Sequence, residues 1–253
     1  MKFVRYEIEN HVAYGMLDDD TITEIQGSIF SQYKVTAATC LLKEVRLLSP
    51  VAPSKLICVG QDHLQGISHM YKNTELPSHS MKPPSAFIGP GAAIRCPQIG
   101  ANLSHRGQLA VVIKDRIRNI SEKEALDHVL GYTCLNDIID LDLTAVDGQW
   151  FRAQAFDTFA PFGPCVATDL DPSNSEVQTF VNGQLVQSAK CSQQPFPVSY
   201  LVHYISQAMT LLPGDLIGTG TPIGGGPLRP GDRVEVAIEG IGTLSNSVET
   251  ISQ

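Results

Sequence analysis

Residues 213–222 read PGDLIGTGTP and residues 230–238 read PGDRVEVAI, and these two stretches decide the fold class. Each opens with Pro-Gly-Asp, a turn sequence in which proline fixes φ and glycine accepts the left-handed conformation. Each then continues with a short apolar run that is typical of a strand. The last part of the chain is therefore predicted to consist of short strands that follow tight turns.

The remaining sequence repeats this pattern of short strands with few helices. The predicted elements are the strands 55–60, 107–113 and 131–137, the hairpin 177–187 with an Asn-Gly turn, and the helices 122–129 and 198–208. Many short strands and few helices favour an α+β fold that is mainly β, with a rolled or barrel-like sheet. We predict a small β-rich N-terminal subdomain at residues 1–50 and a catalytic-type domain at residues 51–253.

The composition excludes several classes of function. The formal net charge is -8, and the 18 basic residues are scattered, so no nucleic-acid partner is expected. No apolar run is long enough to cross a bilayer, so no membrane partner is expected either. Glu7 and Glu9 interrupt the position where a secretory signal needs its apolar core. We therefore expect a soluble, cytoplasmic protein.

A polar loop follows the first strand of the larger domain. The strand 55–60 ends at a glycine, and Gln61, Asp62 and His63 come next. Polar residues on a loop that follows a buried strand often line a pocket. We expect residues 61–63 at a pocket rim, followed by one helical piece at 64–72 within a proline-containing cover.

Five motifs occur in a recognisable order along the chain. They are Cys58-Val59-Gly60, Asn136-Asp137, FDTFAPFGP at 156–164, GTGTP at 218–222 and GIGTLSN at 240–246. Their order and spacing closely resemble the fumarylacetoacetate hydrolase family. The resemblance implies a mixed β-roll, usually homodimeric, that binds Mg²⁺, Mn²⁺ or Ca²⁺ through carboxylates. It also implies a small-molecule substrate that is an enolisable keto acid, which such proteins hydrolyse, decarboxylate, isomerise or tautomerise.

The positions that hold the family's metal carry other residues in this chain. The resemblance places two ligand glutamates at Arg106 and Gln108, and a ligand aspartate at Asp137. One carboxylate cannot hold a hard divalent cation tightly, and the guanidinium of Arg106 repels one. We therefore predict no metal site and no cofactor, and we predict an ion pair between Arg106 and Asp137 in the place of the metal.

Other family positions are partly kept and partly replaced. Lys82 and Thr219 resemble family residues that contact substrate oxygens, Gln154 replaces a lysine, and His63 and His69 replace a tyrosine and a glutamate. A glutamine in such a site is either a remnant or a hydrogen-bonding partner of a neutral carbonyl. The candidate catalytic residues are Asp137, His63 and Arg106, and the candidate substrate-binding residues are Lys82, Gln108, Gln154, Thr219 and His69.

Two further histidines have two interpretations each. His105 precedes Arg106 and is either an exposed polar residue or a member of the site, whereas His79 is interpreted as a surface or packing residue.

Three hypotheses about function follow from these residues. The first is a metal-independent enzyme that acts on an enolisable keto or β-dicarbonyl compound, with specialised metabolism as its expected setting. The second is a cyclase or dehydratase whose vacated pocket folds an apolar substrate, since positioning alone lowers a barrier. The third is an inactive homologue that only binds a ligand.

Overall fold

The computed structural model describes residues 1–60, 76–99, 102–194, 196–221 and 225–250. The strands among them are β1 (Lys2–Ile8), β2 (His11–Asp18), β3 (Thr21–Gly27), β4 (Tyr33–Leu41), β5 (Arg46–Leu48), β6 (Leu56–Gly60), β7 (Ser78–Lys82), β8 (Phe87–Ile88), β9 (Ile94–Cys96), β10 (Leu103–His105), β11 (Gly107–Ile113), β12 (Val129–Asn136), β13 (Ile139–Asp140), β14 (Ala160–Ala167), β15 (Glu176–Val181), β16 (Gln184–Lys190), β17 (Leu216–Gly218), β18 (Gly226–Leu228), β19 (Arg233–Ile238) and β20 (Gly242–Thr250). The α-helices are α1 (Leu141–Asp147), α2 (Phe151–Gln154) and α3 (Val198–Ala208). The predicted fold class, mainly β with few helices, is confirmed.

One large mixed sheet forms the centre of the molecule. Among the described residues it has 12 strands, ten of them in the order β4-β3-β2-β1-β14-β12-β11-β17-β6-β7, with β5 beside β1 and β8 beside β14. A second sheet has the order β16-β15-β19-β20-β9, and a third the order β13-β10-β18. Val111 of the large sheet and Val236 of the second sheet belong to one buried core cluster. These two sheets are therefore held together by a shared apolar interior.

The strand β11 is buried along its whole length. Leu109 and Val111 belong to one core cluster, whereas Ala110 and Val112 belong to another, because successive side chains of a strand point to opposite faces. Apolar material therefore covers both faces of the sheet at this point. A continuous apolar run such as the one in β11 is the sequence pattern that such a strand requires.

Neighbouring strand ends bring the candidate site residues together. β12 ends just before Asp137, and β11 begins just after Arg106, and the two strands are antiparallel with Gly107 opposite Asn136. On the other side of β11 lies β17, whose last residue precedes Thr219. Residues that are far apart in sequence thus lie together at the ends of these three neighbouring strands.

The first 50 residues continue the large sheet. β1 pairs with β2 on one side and with β14 on the other, where Lys2 lies opposite Ala167. β14 belongs to the main part of the chain, so the N-terminal segment shares its sheet with the remaining residues.

Several predicted elements are confirmed. The helix α3 has the predicted bounds, Val198–Ala208. The hairpin β15–β16 turns at Asn182 and Gly183, whose φ angles of 52° and 78° are the positive values that an Asn-Gly hairpin turn needs. The Pro-Gly-Asp turns precede β17 and β19, with positive φ at Gly214 and Gly231.

The predicted helix at 122–129 is wrong. Only a 3₁₀ helix, Ala125–His128, forms there, and Val129 begins β12. The Ser121 hydroxyl does donate to the Glu124 carboxylate at 2.7 Å, but this local contact does not start an α-helix. Pairing of Val129 with Ile113 takes the chain into the sheet instead. The predicted loop 61–63 and helical piece 64–72 lie outside the described residues.

Candidate functional site

Asp137 is the centre of a buried group of charges. Its side chain is almost inaccessible to solvent, and its Oδ2 lies 2.5 Å from Nη2 of Arg106. Its Oδ1 lies 2.9 Å from Nζ of Lys82. The backbone N–H of Asp137 also donates to the carbonyl of Arg106 at 3.0 Å, which fixes the two residues relative to each other. The predicted Arg106–Asp137 ion pair is confirmed, and Lys82 adds a second cation to it.

Lys82 is completely buried on β7. Besides its ion pair with Asp137, its ammonium group donates to the carbonyls of Ile138, Gln154 and Phe159 at 2.7, 3.0 and 3.0 Å. Four acceptors therefore surround a group with three protons. Lys82 acts on the pocket by holding the Asp137 segment and the end of α2 in place, and it reaches a substrate only where one of these partners is displaced.

Gln108 connects Asp137 to the turn after β17. Its Nε2 donates to Asp137 Oδ2 at 3.2 Å, and its Oε1 accepts from the backbone N–H of Gly220 at 3.1 Å. In the same turn, the Thr219 hydroxyl donates to the carbonyl of Leu109 at 3.0 Å and accepts from Nε2 of Gln194 at 2.6 Å. The amide of Gln108 thus performs a neutral bridging role at a position where the family has a carboxylate.

Gln154, at the end of α2, is fully buried and has one unused donor. Its Oε1 accepts from the Ser80 hydroxyl at 2.8 Å, whereas its Nε2 has no hydrogen-bond partner in the described part of the chain. Ser80 lines a pocket of about 260 Å³ between β7 and the start of α2. The residues that line this pocket are Ser78, His79, Ser80, Met81, Gly148, Gln149, Trp150 and Phe151.

Trp150 joins this pocket to the charged group. The guanidinium carbon of Arg106 lies 5.6 Å from the centre of the Trp150 ring, within the range of a cation–π contact. The indole therefore covers one side of Arg106 and also forms part of the pocket wall.

The charges of the group are unequal in number. Arg106 and Lys82 are cations and Asp137 is an anion, so these three residues carry one net positive charge. Burial alone would raise the pKa of Asp137, but the Arg106 and Lys82 charges outweigh it and hold that pKa below its ordinary value. Asp137 is therefore a fixed anion and a weak base.

Cys58 is a further neighbour of Asp137. Burial, and then the Asp137 charge, raise the pKa of the Cys58 thiol, so that it stays protonated. The neighbouring thiol helps to lower the pKa of the Asp137 carboxyl group, after the larger effects of Arg106 and Lys82. Cys58 is thus a donor to the site and not a nucleophile.

Of the histidines that the structure describes, His105 differs from one of its two interpretations, whereas His79 lies at the surface as expected. His63 and His69 lie outside the described residues. The interpretation of His105 as an exposed polar residue is wrong, because His105 is buried, and burial lowers the pKa of its ring, partly offset by a hydrogen bond with Gln187. His79 is exposed, and it lines the pocket with its ring centre 6.0 Å from that of Tyr204.

Sequence reasoning missed several residues of the pocket. Ser80 and Trp150 lie in segments with weak strand or helix patterns, so no periodicity predicted their direction. Trp150 is nevertheless the only tryptophan of the chain, and a single large aromatic next to a site segment is a signal that deserved weight. Cys58 was assigned only to a family motif, whereas its thiol contacts the central carboxylate.

The residues at this site do not fit a divalent metal ion. A hard cation needs several oxygen ligands, and Asp137 supplies one carboxylate whose two oxygens already face Arg106 and Lys82. Among the described residues there is no cluster of three or more His, Cys, Asp or Glu side chains able to hold a metal. A cation at this position would also meet the positive charge of Arg106.

Comparison with known proteins places the chain in a family. Residues 55–249 match the family model described as fumarylacetoacetate (FAA) hydrolase C-terminal, and residues 1–50 match the model described as Rv2993c-like, N-terminal. The chain belongs to the fumarylacetoacetate hydrolase family. The FAA hydrolase match contains every candidate site residue predicted from the sequence.

Solved and curated relatives of this FAA hydrolase family member have several activities. A structure titled 5-carboxymethyl-2-hydroxymuconate delta-isomerase, from Mycobacterium smegmatis, is 39% identical with a TM-score of 0.93, covering 99% of this chain and 100% of that one. Oxaloacetate tautomerase YisK of Bacillus subtilis is 37% identical over 82% of this chain and 74% of its own length. Maleylpyruvate hydrolase from Sphingobium, solved with manganese(II) and pyruvate, is 26% identical with a TM-score of 0.82, covering 100% of both chains.

None of the helices within the described ranges has the length and apolar character needed to cross a membrane.

Proposed function

We propose that this chain is an enzyme that tautomerises or isomerises an enolisable keto or β-dicarbonyl compound without a bound divalent metal. The observation that carries this proposal is the buried pairing of the Asp137 carboxylate with Arg106 and Lys82, which holds the charged Arg106 side chain in a fixed position. C–C hydrolysis and decarboxylation by the family pass through a similar enolate. Tautomerisation and isomerisation are favoured because relatives at 37% and 39% identity carry those names.

The reaction needs stabilisation of an enolate oxygen. When a proton leaves the carbon next to the carbonyl, the electron pair of the C–H bond moves towards the carbonyl oxygen, which becomes negative. Fixed donors and positive charge at that oxygen usually supply the largest part of catalysis. Arg106 supplies both, because its guanidinium keeps its charge and presents several N–H groups in one plane. The proton then returns to the oxygen or to another carbon, which completes the tautomer or isomer.

Asp137 is proposed as a positioning residue. Its lowered pKa makes it a poor proton acceptor, but its ion pair and its contact with Gln108 hold both side chains in place. We keep His63, three residues after the end of β6, as the proposed proton acceptor, because the ordinary pKa of a histidine suits proton transfer near neutral pH. In this scheme Gln154 orients a neutral oxygen of the substrate, and Thr219 supports the turn that carries Gly220.

The test combines metal analysis with proton exchange. Oxaloacetate and pentane-2,4-dione are incubated with chelator-treated protein in D₂O, and exchange at the carbon between or beside the carbonyl groups is followed by NMR. We expect exchange to survive chelation, and we expect Arg106→Met to slow it by at least about 100-fold, the usual cost of losing one oxyanion donor. Arg106→Lys, which keeps the charge, should lose less, and Asp147→Asn at an exposed ion pair serves as the control.

Two results would overturn the proposal. One is a stoichiometric divalent metal in the purified protein whose removal abolishes exchange. The other is the absence of catalysed exchange with both compounds while ligands still bind, which would favour an inactive binding homologue. Conversion of an apolar substrate into a ring, without exchange, would favour the cyclase or dehydratase hypothesis.

The assembly proposed for this enzyme is the homodimer that the family resemblance implies. Light scattering of the purified protein should then give twice the 27.4 kDa mass of one chain.

A further inference from the structure

Large apolar side chains form one part of the lining of the pocket beside α2. Phe151 and Met81 line the pocket with 62% and 47% of their surfaces exposed, and Trp150, which contacts Arg106, lines it as well. Large apolar side chains that meet around one concave site are typical of a surface that binds a ligand. No Lys, Arg, Asp or Glu occurs among the described residues that line this pocket. His79 is therefore the one side chain in the described lining that can carry a positive charge.

A buried amide is hydrogen-bonded to one lining residue of the same pocket. Ser80, which lines the pocket, donates its hydroxyl to Gln154, and the Nε2 of this fully buried amide has no partner in the described part of the chain. A buried donor without an acceptor costs free energy, so native proteins seldom leave one unless a ligand or water serves it. A ligand oxygen beside Ser80 would serve the unused donor of Gln154.

We propose that the substrate carries an uncharged apolar arm, preferably aromatic, that lies on Trp150, Phe151 and Met81 while an oxygen of the same molecule accepts from Gln154. This inference rests on the proposed function for the reactive end of the molecule, which would lie near Arg106. Trp150 connects the two ends, since it contacts the guanidinium and lines the pocket. The substrate class is thus an acyl or aryl β-dicarbonyl compound with an apolar group at the end away from Arg106.

Two probes with the same reactive group test the arm. 1-Phenylbutane-1,3-dione and pentane-2,4-dione differ by a phenyl ring in place of a methyl group, and their dissociation constants are measured by calorimetry. We expect the phenyl compound to bind at least about tenfold more tightly, because the ring buries additional apolar surface on aromatic side chains. In the double variant Met81→Ala/Phe151→Ala this preference should fall below about threefold.

Matched variants separate the arm from the rest of the site. Leu185→Ala removes an equally exposed apolar side chain outside the pocket and should leave the preference unchanged. Gln154→Met removes the unused donor and should weaken both probes by a similar factor, with thermal unfolding as the check that the variant is folded. Because the double variant changes only exposed side chains, it remains informative if Gln154→Met does not fold.

The outcomes distinguish this inference from the proposed function. Equal affinity for the two probes, or a preference that survives in Met81→Ala/Phe151→Ala, would overturn the apolar arm even if proton exchange is catalysed. A phenyl preference that the double variant removes, without any catalysed exchange, would support the arm and refute the proposed function. Absence of measurable binding of the phenyl probe would also overturn the inference.

Discussion

Replacement of Asp137 by asparagine is the most direct test of the buried charge group. The substitution keeps the size of the side chain and removes its charge, so Arg106 and Lys82 would remain buried without their shared anion. Removing one partner of a buried ion pair costs about 3–5 kcal/mol. Because two cations lose the same partner, we expect the upper part of this range, about 4–5 kcal/mol.

Such a loss is large for a chain of this size. At about 2–4 °C per kcal/mol, the midpoint of thermal unfolding should fall by about 8–20 °C. The measurement is thermal unfolding followed by circular dichroism at pH 7, with urea unfolding as a second determination. The matched control is Asp147→Asn, which makes the same chemical change in the pair with Arg152, whose side chain is 49% exposed. That control should cost no more than about 1 kcal/mol.

The pH dependence of the same difference adds a second check. The folded pKa of Asp137 lies below its ordinary value of 3.8 because Arg106 and Lys82 outweigh the effect of burial. A carboxyl group whose pKa is lower in the folded state than in the unfolded state adds to the free energy of unfolding at pH values above its unfolded pKa. This contribution is lost as the pH falls through the folded pKa. The gap between wild type and Asp137→Asn should therefore stay constant from pH 8 to pH 5. A decrease in midpoint below about 3 °C at pH 7, or a gap that closes between pH 7 and pH 5, would refute this reasoning.

Two further predictions concern the replaced ligands and the buried histidine. The double variant Arg106→Glu/Gln108→Glu has three carboxylates at the site, including Asp137, and should bind Mn²⁺ at least about 100-fold more tightly than wild type in calorimetry. Arg106→Gln is the control that adds no carboxylate. If the double variant and wild type bind Mn²⁺ with equal affinity, the assignment of these positions to the family's metal ligands is wrong. Burial holds the pKa of His105 in the folded protein below its ordinary value of 6.5. As the pH falls through 6.5, His105 therefore becomes protonated in the unfolded chain while it stays neutral in the folded chain. Wild type should therefore lose unfolding free energy below about pH 6.5, and a His105→Asn variant that shows the same slope would exclude His105 as its cause.

Much of the fold followed from local sequence signals. The Asn182-Gly183 pair and the Pro-Gly-Asp turns set their own backbone conformations, so hairpin and strands appear where they were predicted. The helix expected at 122–129 failed because the signal at Ser121 was also local, whereas the pairing of Val129 with Ile113 is a long-range contact that no local pattern contains.

The sequence predicted those contacts of the site that are made between residues at the ends of adjacent strands. Arg106 and Asp137 flank β11 and β12, so replacement of a carboxylate by an arginine at one end predicted the ion pair that the structure contains. The contact of Ser80 with Gln154 and that of Trp150 with Arg106 depend on how β7 and α2 pack. The pattern of apolar residues along the sequence does not show how such short elements pack against each other. For this reason the residues that line the pocket were not predicted.

The contacts of Lys82 form when the chain folds, before any substrate binds. Its ammonium group joins Ile138, Gln154 and Phe159 to Asp137 through contacts made within the chain itself. These segments are therefore ordered during folding, and a substrate that arrives later binds to a protein that has already lost this conformational entropy. In such a preformed cavity, selectivity depends on the shape of the cavity. Substitutions at the exposed rim can therefore change substrate preference during evolution while the buried residues stay the same.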